Sequence, residues 1–564
     1  MLNKLYTAQG ELLTGTPWEI YPRPQLRRES YINLNGTWEL TVENQPKNFS
    51  IQVPFCPESL LSGVNLHFPE GSTLSYRRNF RLPQGFNKGR VLLHIGAADQ
   101  VAEVYLNQKS VGRHEGGYTA FTIDITNALE EENLLEVRCT DDLRDLSMPY
   151  GKQTLHRGGM WYTPVSGIWQ SVWLESVPTH YIEELQIKNR DYSVHISVKP
   201  AMDGTVRVEG LGEYPLKNGE AVIEPKNPHL WSPEDPYLYN FCVITEEDTV
   251  ESYFAIRTIE SKLINGIPRL CLNGKPYFFH GLLDQGYWPD GIYTPATPEC
   301  YAQDILAMKK LGFNTLRKHI KVEAEEFYYQ CDKLGMIVFQ DMVNNGDYNF
   351  VRDTAIPTLR IQKCSDKNSH KDPKTRERFL QSMEQTVAQL SNHPCILYWT
   401  IFNEGWGQFD SDNVYQKFRA LDDTRIIDTT SGWFRRKCSD VESLHIYFGP
   451  WNQIRPSKKP VVLSEFGGYT YPVKEHLFNP DNAYGYKACA SQEEFQSQIL
   501  ALYGNKVIPA ISKGLCGAIC TQVSDVEDEI NGFLTYDRKV CKADEKVMMS
   551  LSNQLQDHIT KDCK

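Results

Sequence analysis

Up to about residue 178 the chain reads as short runs of alternating apolar and polar positions between turn residues. Examples are Gly36-Thr-Trp-Glu-Leu-Thr-Val, Ser75-Tyr-Arg-Arg-Asn-Phe-Arg-Leu, Val101-Ala-Glu-Val-Tyr-Leu and Leu134-Leu-Glu-Val-Arg-Cys. A period of two at such spacing predicts half-buried strands, here a β jelly-roll sandwich over residues 1–178. From 179 to 257 the strands shorten, and a Pro-rich corner, Leu230-Trp-Ser-Pro-Glu-Asp-Pro, leads into Tyr237-Leu-Tyr-Asn-Phe-Cys-Val-Ile. That size and rhythm predict a small immunoglobulin-like β-sandwich. From 258 to 564 the pattern changes to near-continuous apolar runs at 277–283, 314–320, 337–342, 396–403, 425–431, 442–447, 460–466 and 515–522. Amphipathic segments at 299–311, 323–334, 375–391, 413–421, 491–512 and 543–557 fall between or after them, with little helix following the fifth and sixth runs. Continuous apolar strands are those of a parallel sheet covered on both faces, and eight with crossover helices predict a (β/α)8 TIM barrel. The polar segment 343–371 after the third strand is too long for an idle connection, and we read it as a rim of the active site.

Length and composition agree with this multidomain division. A chain of 564 residues exceeds one core, and 41% hydrophobic with 23% charged residues is the composition of a folded globular protein. The net charge of −12 argues against nucleic acid as a partner. No run of eighteen apolar residues exists to span a membrane, and the first residues lack the apolar core of a signal peptide, so the expected location is cytoplasmic. The 14 cysteines are scattered through predicted strands and helices without pairing rhythm or zinc spacing, as reduced core residues would be.

Two apolar runs end abruptly in a carboxylate followed by small residues: Leu397-Tyr-Trp-Thr-Ile-Phe-Asn403-Glu404-Gly and Val461-Val-Leu-Ser-Glu465-Phe-Gly-Gly. Chemistry in α/β barrels sits just past the carboxyl ends of the strands. Glutamates ending the fourth and seventh strands can face each other across a pocket, as cleavage of a glycosidic bond requires. Asn403 can present an amide to a sugar hydroxyl. Further polar residues break the apolar strands at the same end: Asp284 and Gln285, Arg317 and His319, Asp341, His445 and Tyr447, and Gln522 with Asp525. Buried polar groups without partners are costly, so such a ring predicts a hydroxyl-reading pocket. Trp399 on the fourth run and Trp161 in the 159–162 loop complete the candidate substrate-binding set.

The chain resembles glycoside hydrolase family 2, the group of β-galactosidases, β-glucuronidases and β-mannosidases. The likeness runs through Val53-Pro-Phe-Cys-Pro-Glu-Ser, Val111-Gly-Arg-His-Glu-Gly-Gly-Tyr, Ser166-Gly-Ile-Trp-Gln-Ser-Val-Trp-Leu-Glu, Gly312-Phe-Asn-Thr-Leu-Arg-Lys-His, Trp399-Thr-Ile-Phe-Asn-Glu and Thr535-Tyr-Asp-Arg. The resemblance implies a jelly roll, an immunoglobulin-like domain and a catalytic barrel. It also implies Glu404 as general acid/base, Glu465 as nucleophile, Tyr447 bonded to that nucleophile and Arg317 beneath it. It implies a glycoside substrate and, for members of this kind, self-association into a homo-oligomer. The metal ligands of the long members are not matched, so no metal or cofactor is expected. Glucuronidases of the family carry Asn-x-Lys before the glycine of the last barrel segment, where this chain has Glu529-Ile-Asn531-Gly532. A short exo-β-galactosidase is the leading expectation. Glucuronidase, another exo-glycosidase, and a non-catalytic sugar-binding protein are the alternatives.

Overall fold

The computed structural model describes residues 2–356, 365–448 and 451–561, so residues 357–364 of the 343–371 segment lie outside the described residues. The N-terminal third packs a four-stranded sheet against a six-stranded one, antiparallel throughout. Strand Gly36–Val42 shows the principle: Trp38, Leu40 and Val42 are buried, while Thr37 and Glu39 face water. Such alternation gives each sheet one apolar face, and the two faces enclose a common core around Leu40, Ile51, Leu93, Val104 and Val137. Three- and four-stranded antiparallel sheets, from Glu184 to Phe254, form the second sandwich around Ile196, Val206, Phe241 and Phe254.

The remainder is the barrel, whose strands we number β1 (Phe279–Asp284), β2 (Thr315–Lys318), β3 (Ile337–Asp341), β4 (Ile396–Asn403), β5 (Ile426–Ser431), β6 (Glu442–Ile446), β7 (Val461–Gly467) and β8 (Leu515–Thr521). All ladders between them are parallel, in the order β5-β4-β3-β2-β1-β8-β7-β6. Helices α1 (Glu299–Lys310), α2 (Glu325–Leu334), α3 (Pro373–Leu390), α4 (Ser411–Leu421), α5 (Gln492–Leu502) and α6 (Glu545–Lys561) form the outer layer. The bounds match the hydrophobic pattern to within a few residues. The amphipathic stretch 491–512 departs from it, since α5 gives way to a π-turn at Tyr503–Val507 before Ile508–Ile511. That turn keeps both Tyr503 and Val507 buried, with the Tyr503 hydroxyl against His280 Nε2 at 3.1 Å.

The backbone ladder does not close between β5 and β6, where no α-helix separates the strands among the described residues. Side chains join the edges instead. Ser431 on β5, Ser443 on β6 and Ser464 on β7 form a hydroxyl cluster with Oγ–Oγ distances of 3.3, 2.9 and 2.6 Å.

The jelly roll docks on the barrel through aromatic side chains rather than a thin polar contact. Trp169 and Tyr118 pack against Tyr293, Tyr118 Oη lies 2.9 Å from Tyr293 Oη, and all three belong to one core cluster with the barrel strands. The two sandwiches are joined by charge. Arg28 pairs with Asp248 of the second sandwich at 2.7 Å and with Glu175 of the first at 3.2 Å, and Arg23 reaches Glu175 at 2.9 Å. Burial by itself would raise the Glu175 carboxyl; Arg23, His94 and Arg28 together hold it well below the usual carboxylate range. Removing one partner of a buried pair strands the other's charge. Glu175→Ala is therefore expected to destabilise the chain by about 3–5 kcal/mol, read as a lowered denaturant midpoint of the first unfolding transition.

Candidate active site

Glu404 follows the last residue of β4 in a left-handed conformation, φ 51°, with its amide bonded to the Ser431 carbonyl at 3.0 Å. A non-glycine residue held there is strained, and the strain turns the carboxylate out of the strand line into the barrel mouth. Gly405 follows at φ 78°, where a Cβ would strike the Phe434 ring at 2.3 Å. Glu465 lies on β7 with both oxygens engaged: Oε1 accepts from Arg317 at 3.0 Å and Oε2 from the Tyr447 hydroxyl at 2.9 Å. His445 Nδ1 sits between the two glutamates, 2.8 Å from Glu404 and 3.5 Å from Glu465. Its Nε2 meets Ser431 Oγ at 3.0 Å. One carboxylate oxygen from each glutamate and the imidazole nitrogen all lie within 4.8 Å of one another. That trio could ligate a cation, which would occupy the oxygens needed for chemistry.

Arg317, fully buried on β2, organises the floor. Its Nε donates to Asp341 at 3.0 Å, one terminal nitrogen to Glu465 and the Ser464 carbonyl, and the other to Asn403 Oδ1 at 2.8 Å. Burial would raise the Glu465 carboxyl, but the charges of His445, Arg317, His319 and Lys152 outweigh it and hold Glu465 below the usual range. Burial also lowers His319, to about 4, against the opposing pull of Asp341, whose carboxylate lies 2.8 Å from Nδ1.

The predicted residues separate into groups. Glu404, Glu465, Asn403, Arg317, His445 and Tyr447 form one connected constellation. Asp341 is 1% exposed, and its oxygens are taken by Arg317 and His319, so it orients those two residues behind the pocket. Asp284 is tied to Lys318 at 2.7 Å and to the Gly286 amide, a structural role at the end of β1. Gln522 Oε1 accepts from Gln285 at 2.9 Å. Trp399 does not join the site. Strand alternation turns Tyr398 into the barrel against Phe339, and Trp399 outward against Phe418 of α4, where its indole donates to Asp422 at 2.8 Å. Trp161 lies at the rim, stacked on Trp406 at 5.4 Å, and Tyr348 of the 343–371 segment packs edge-on to both.

Sequence reasoning missed Trp406 and Lys152. Trp406 lies two residues past Glu404, in reach of the motif already singled out. Lys152 had no signal, because apart from Trp161 the groups around it, Trp406, Glu404, Glu465 and Glu529, lie hundreds of residues away. Several buried polar atoms here have no protein partner among the described residues: Asn403 Nδ2, Trp406 Nε1 and Gln522 Nε2. Unsatisfied buried donors beside a catalytic pair suit a hydroxyl-rich ligand.

Gly432, φ 86°, lets the chain pass under His445; a Cβ there would sit 2.5 Å from the imidazole. Gly432→Ala is expected to displace His445 and lower kcat by about a hundredfold, the scale of a 1 Å misplacement, with the unfolding transition retained. Steady-state kinetics beside a thermal melt checks this.

Three family descriptions match the chain: a galactose-binding domain-like module at residues 57–154, a glycosyl hydrolases family 2 module at 177–257, and the family 2 TIM barrel domain at 268–550. A β-galactosidase of Thermoanaerobacter pseudethanolicus is 25% identical over 443 residues, 71% of this chain, which spans about half (54%) of that enzyme's length. A β-glucuronidase of Felis catus is 24% identical over 80% of this chain and 79% of its own. Among solved structures, a β-D-glucuronidase of Dictyoglomus thermophilum superposes with TM-score 0.74 at 21% identity over 95% of this chain and 98% of that one. A β-galacturonidase of Eisenbergiella tayi bound to galacturonate does so with TM-score 0.68 at 19% identity, over 95% of this chain and 99% of that one. With its barrel, its two sandwiches and their order all matched, this chain belongs to glycosyl hydrolase family 2.

Proposed function

We propose that the protein is a retaining exo-β-glycosidase acting on neutral hexosides, galactosides first. The observation that carries the mechanism is that His445 Nδ1 lies 2.8 Å from a Glu404 oxygen and 3.5 Å from a Glu465 oxygen, with the nearest oxygens of the two carboxylates inside 4.8 Å, an approach that favours the shorter of the two known spacings. Retaining enzymes hold their carboxyl groups about 5–5.5 Å apart, whereas inverting ones need about 6.5–9.5 Å to admit a water. Glu465, kept ionised by its surroundings, attacks the anomeric carbon. Glu404 donates its proton to the departing glycosidic oxygen, leaving a glycosyl ester on Glu465. The Glu404 carboxylate then takes a proton from water, which attacks the anomeric carbon and frees Glu465. Arg317 and Tyr447 fix both oxygens of the nucleophile, so little reorganisation accompanies attack. Asn403, bonded to Arg317 through Oδ1, keeps its amide nitrogen for the substrate.

The sugar preference rests on Glu529. Its carboxylate is buried, accepts from the Asn531 amide at 2.9 Å and from the Tyr162 hydroxyl, and feels the charge of Glu465. A uronate carboxylate brought near this group would place another acidic group beside the buried Glu529, in a pocket that also holds Glu465. The uronidases among the relatives favour the second reading, a uronide hydrolase, and direct comparison separates the two.

Three measurements test this reading. Glu465→Ala is expected to lose hydrolysis, and azide is expected to restore release of nitrophenolate by displacing it from the anomeric carbon, giving a glycosyl azide of inverted configuration. Glu404→Ala should slow glycosylation far more for poor leaving groups than for nitrophenolate. Normal turnover by Glu465→Ala would remove the nucleophile assignment. For specificity, kcat/KM for nitrophenyl β-galactoside should exceed that for the β-glucuronide by at least about a hundredfold, roughly 2.7 kcal/mol. A higher value for the glucuronide would select the uronide reading and leave the glutamates in their roles.

A further inference from the structure

One strong charge in the catalytic pocket is not supplied by the barrel. Lys152 belongs to the chain segment that leaves the jelly roll, and the residue is only 6% exposed. Its Nζ lies 4.7 Å from the Trp406 ring centre and 5.6 Å from that of Trp161, the two indoles stacked at the pocket rim. The carboxylates that bear on it are Glu529, Glu465 and Glu404, with Arg317 and His319 as neighbouring groups of opposite effect. None of these carboxylates comes within ion-pair distance, 4.0 Å, and among the described residues the ammonium makes no hydrogen bond. The ammonium carries three donors and no acceptor, and within the pocket no protein acceptor among the described residues takes them. Burial accordingly lowers its proton affinity, while the three carboxylates pull the other way.

The surrounding backbone holds Lys152 in this position. Gly151 takes φ 65°, and a Cβ there would lie 2.9 Å from both the Ile320 carbonyl and the Tyr118 hydroxyl, so the chain passes tight against β2's exit. The Lys152 carbonyl accepts from the Tyr162 amide at 3.1 Å. Gln153 is locked three ways: it donates to Asp99 at 2.9 Å and Tyr118 at 3.0 Å, and accepts from the Val165 amide at 2.7 Å. Tyr150 is fixed to the Asn344 and Gly346 backbone of the segment after β3. A long, flexible side chain is thus launched from a rigid base against the stacked pair of indoles. The indole faces attract the cation but take none of its N–H donors. An incoming hydroxyl would take one, because it supplies an acceptor without adding a charge beside Glu529, Glu465 and Glu404. The Trp406 indole N–H, also unpartnered, offers a second donor beside it.

We propose that Lys152 is a substrate-binding residue that donates a hydrogen bond to one ring hydroxyl of the terminal sugar, so that the jelly-roll domain completes the specificity pocket of the barrel. This rests on the glycosidase reading above. The ligand chemistry is a neutral polyol oxygen. A carboxylate in its place would bring a further acidic group beside Glu529 and Glu465, which already bear on the ammonium.

The test is a comparison of wild type with Lys152→Met on nitrophenyl β-galactoside and its 2-, 3-, 4- and 6-deoxy analogues, run on the full chain. In wild type, removing the hydroxyl that meets Lys152 is expected to lower kcat/KM by about tenfold or more, the worth of a hydrogen bond to a charged group. In Lys152→Met the parent substrate should suffer a similar loss, and that one deoxygenation should then cost nothing further. The other deoxy positions should keep their wild-type penalties. Penalties that remain unchanged at every position in Lys152→Met would overturn the proposal, because a merely structural lysine lowers all substrates in parallel. Should Lys152→Met not fold, judged by its thermal transition, Lys152→Gln keeps most of the stem and is read in the same way. If wild type hydrolyses no galactoside but cleaves another nitrophenyl glycoside, the same comparison on that sugar's deoxy series decides the role of Lys152. Failure of wild type on every glycoside overturns both readings, whereas failure of the deoxy comparison alone overturns only that of Lys152.

Discussion

The site depends on the guanidinium of Arg317. It is wholly buried, rises from β2, and spends its donors on β3, β4 and β7: Asp341, Asn403, the Ser464 carbonyl and Glu465. A buried cation is tolerable only when surrounded by acceptors in good geometry. The four strands can meet that demand only in one relative placement. The planar fork of arginine makes this a directional constraint as well as an electrostatic one, which a lysine point charge would not provide. Fixing Asn403 and Glu465 to one group also ties together the two strand ends that carry Glu404 and Glu465.

The weak place in the barrel lies beside this clamp. Between β5 and β6 the backbone ladder is missing, and Ser431, Ser443 and Ser464 join the edges with hydroxyls. Ser431 also meets His445, and its carbonyl takes the amide of Glu404. Barrel closure and placement of Glu404 are therefore one network. The strain at Glu404 is sustained because β4, the Ser431 carbonyl and the packed Phe434 ring leave the chain no relaxed alternative.

The domains are interlocked as well as adjacent. Trp169 and Tyr118 of the jelly roll enter the barrel's own core, and the segment from Tyr150 to Thr163 continues across the barrel mouth. That segment carries Trp161 and Lys152 to the pocket, where Trp161 stacks on Trp406, a residue of the β4 loop. The neighbouring domain thereby adds Lys152 and the Trp161 ring to the mouth in which Glu404 and Glu465 are buried.

The sequence by itself determined the three-part architecture, the eight strands and the two glutamates. Each is written in local periodicity: alternation for one-sided sheets, continuous apolar runs for the barrel, and a carboxylate interrupting such a run at its carboxyl end. It also placed Arg317, His445, Asn403 and Tyr447 at that end. Tertiary structure decided the rest. Trp399 and Tyr398 are adjacent aromatics in one apolar run, and only the pleat and the helix packed outside it send the first toward Asp422 and the second inward. Asp341 and Asp284 look like pocket carboxylates in sequence, but become partners of Arg317 and Lys318 once β1, β2 and β3 lie side by side. The same holds for Lys152. A side chain's partners across a domain boundary are set by how two cores dock, and hydrophobic periodicity carries no record of that docking.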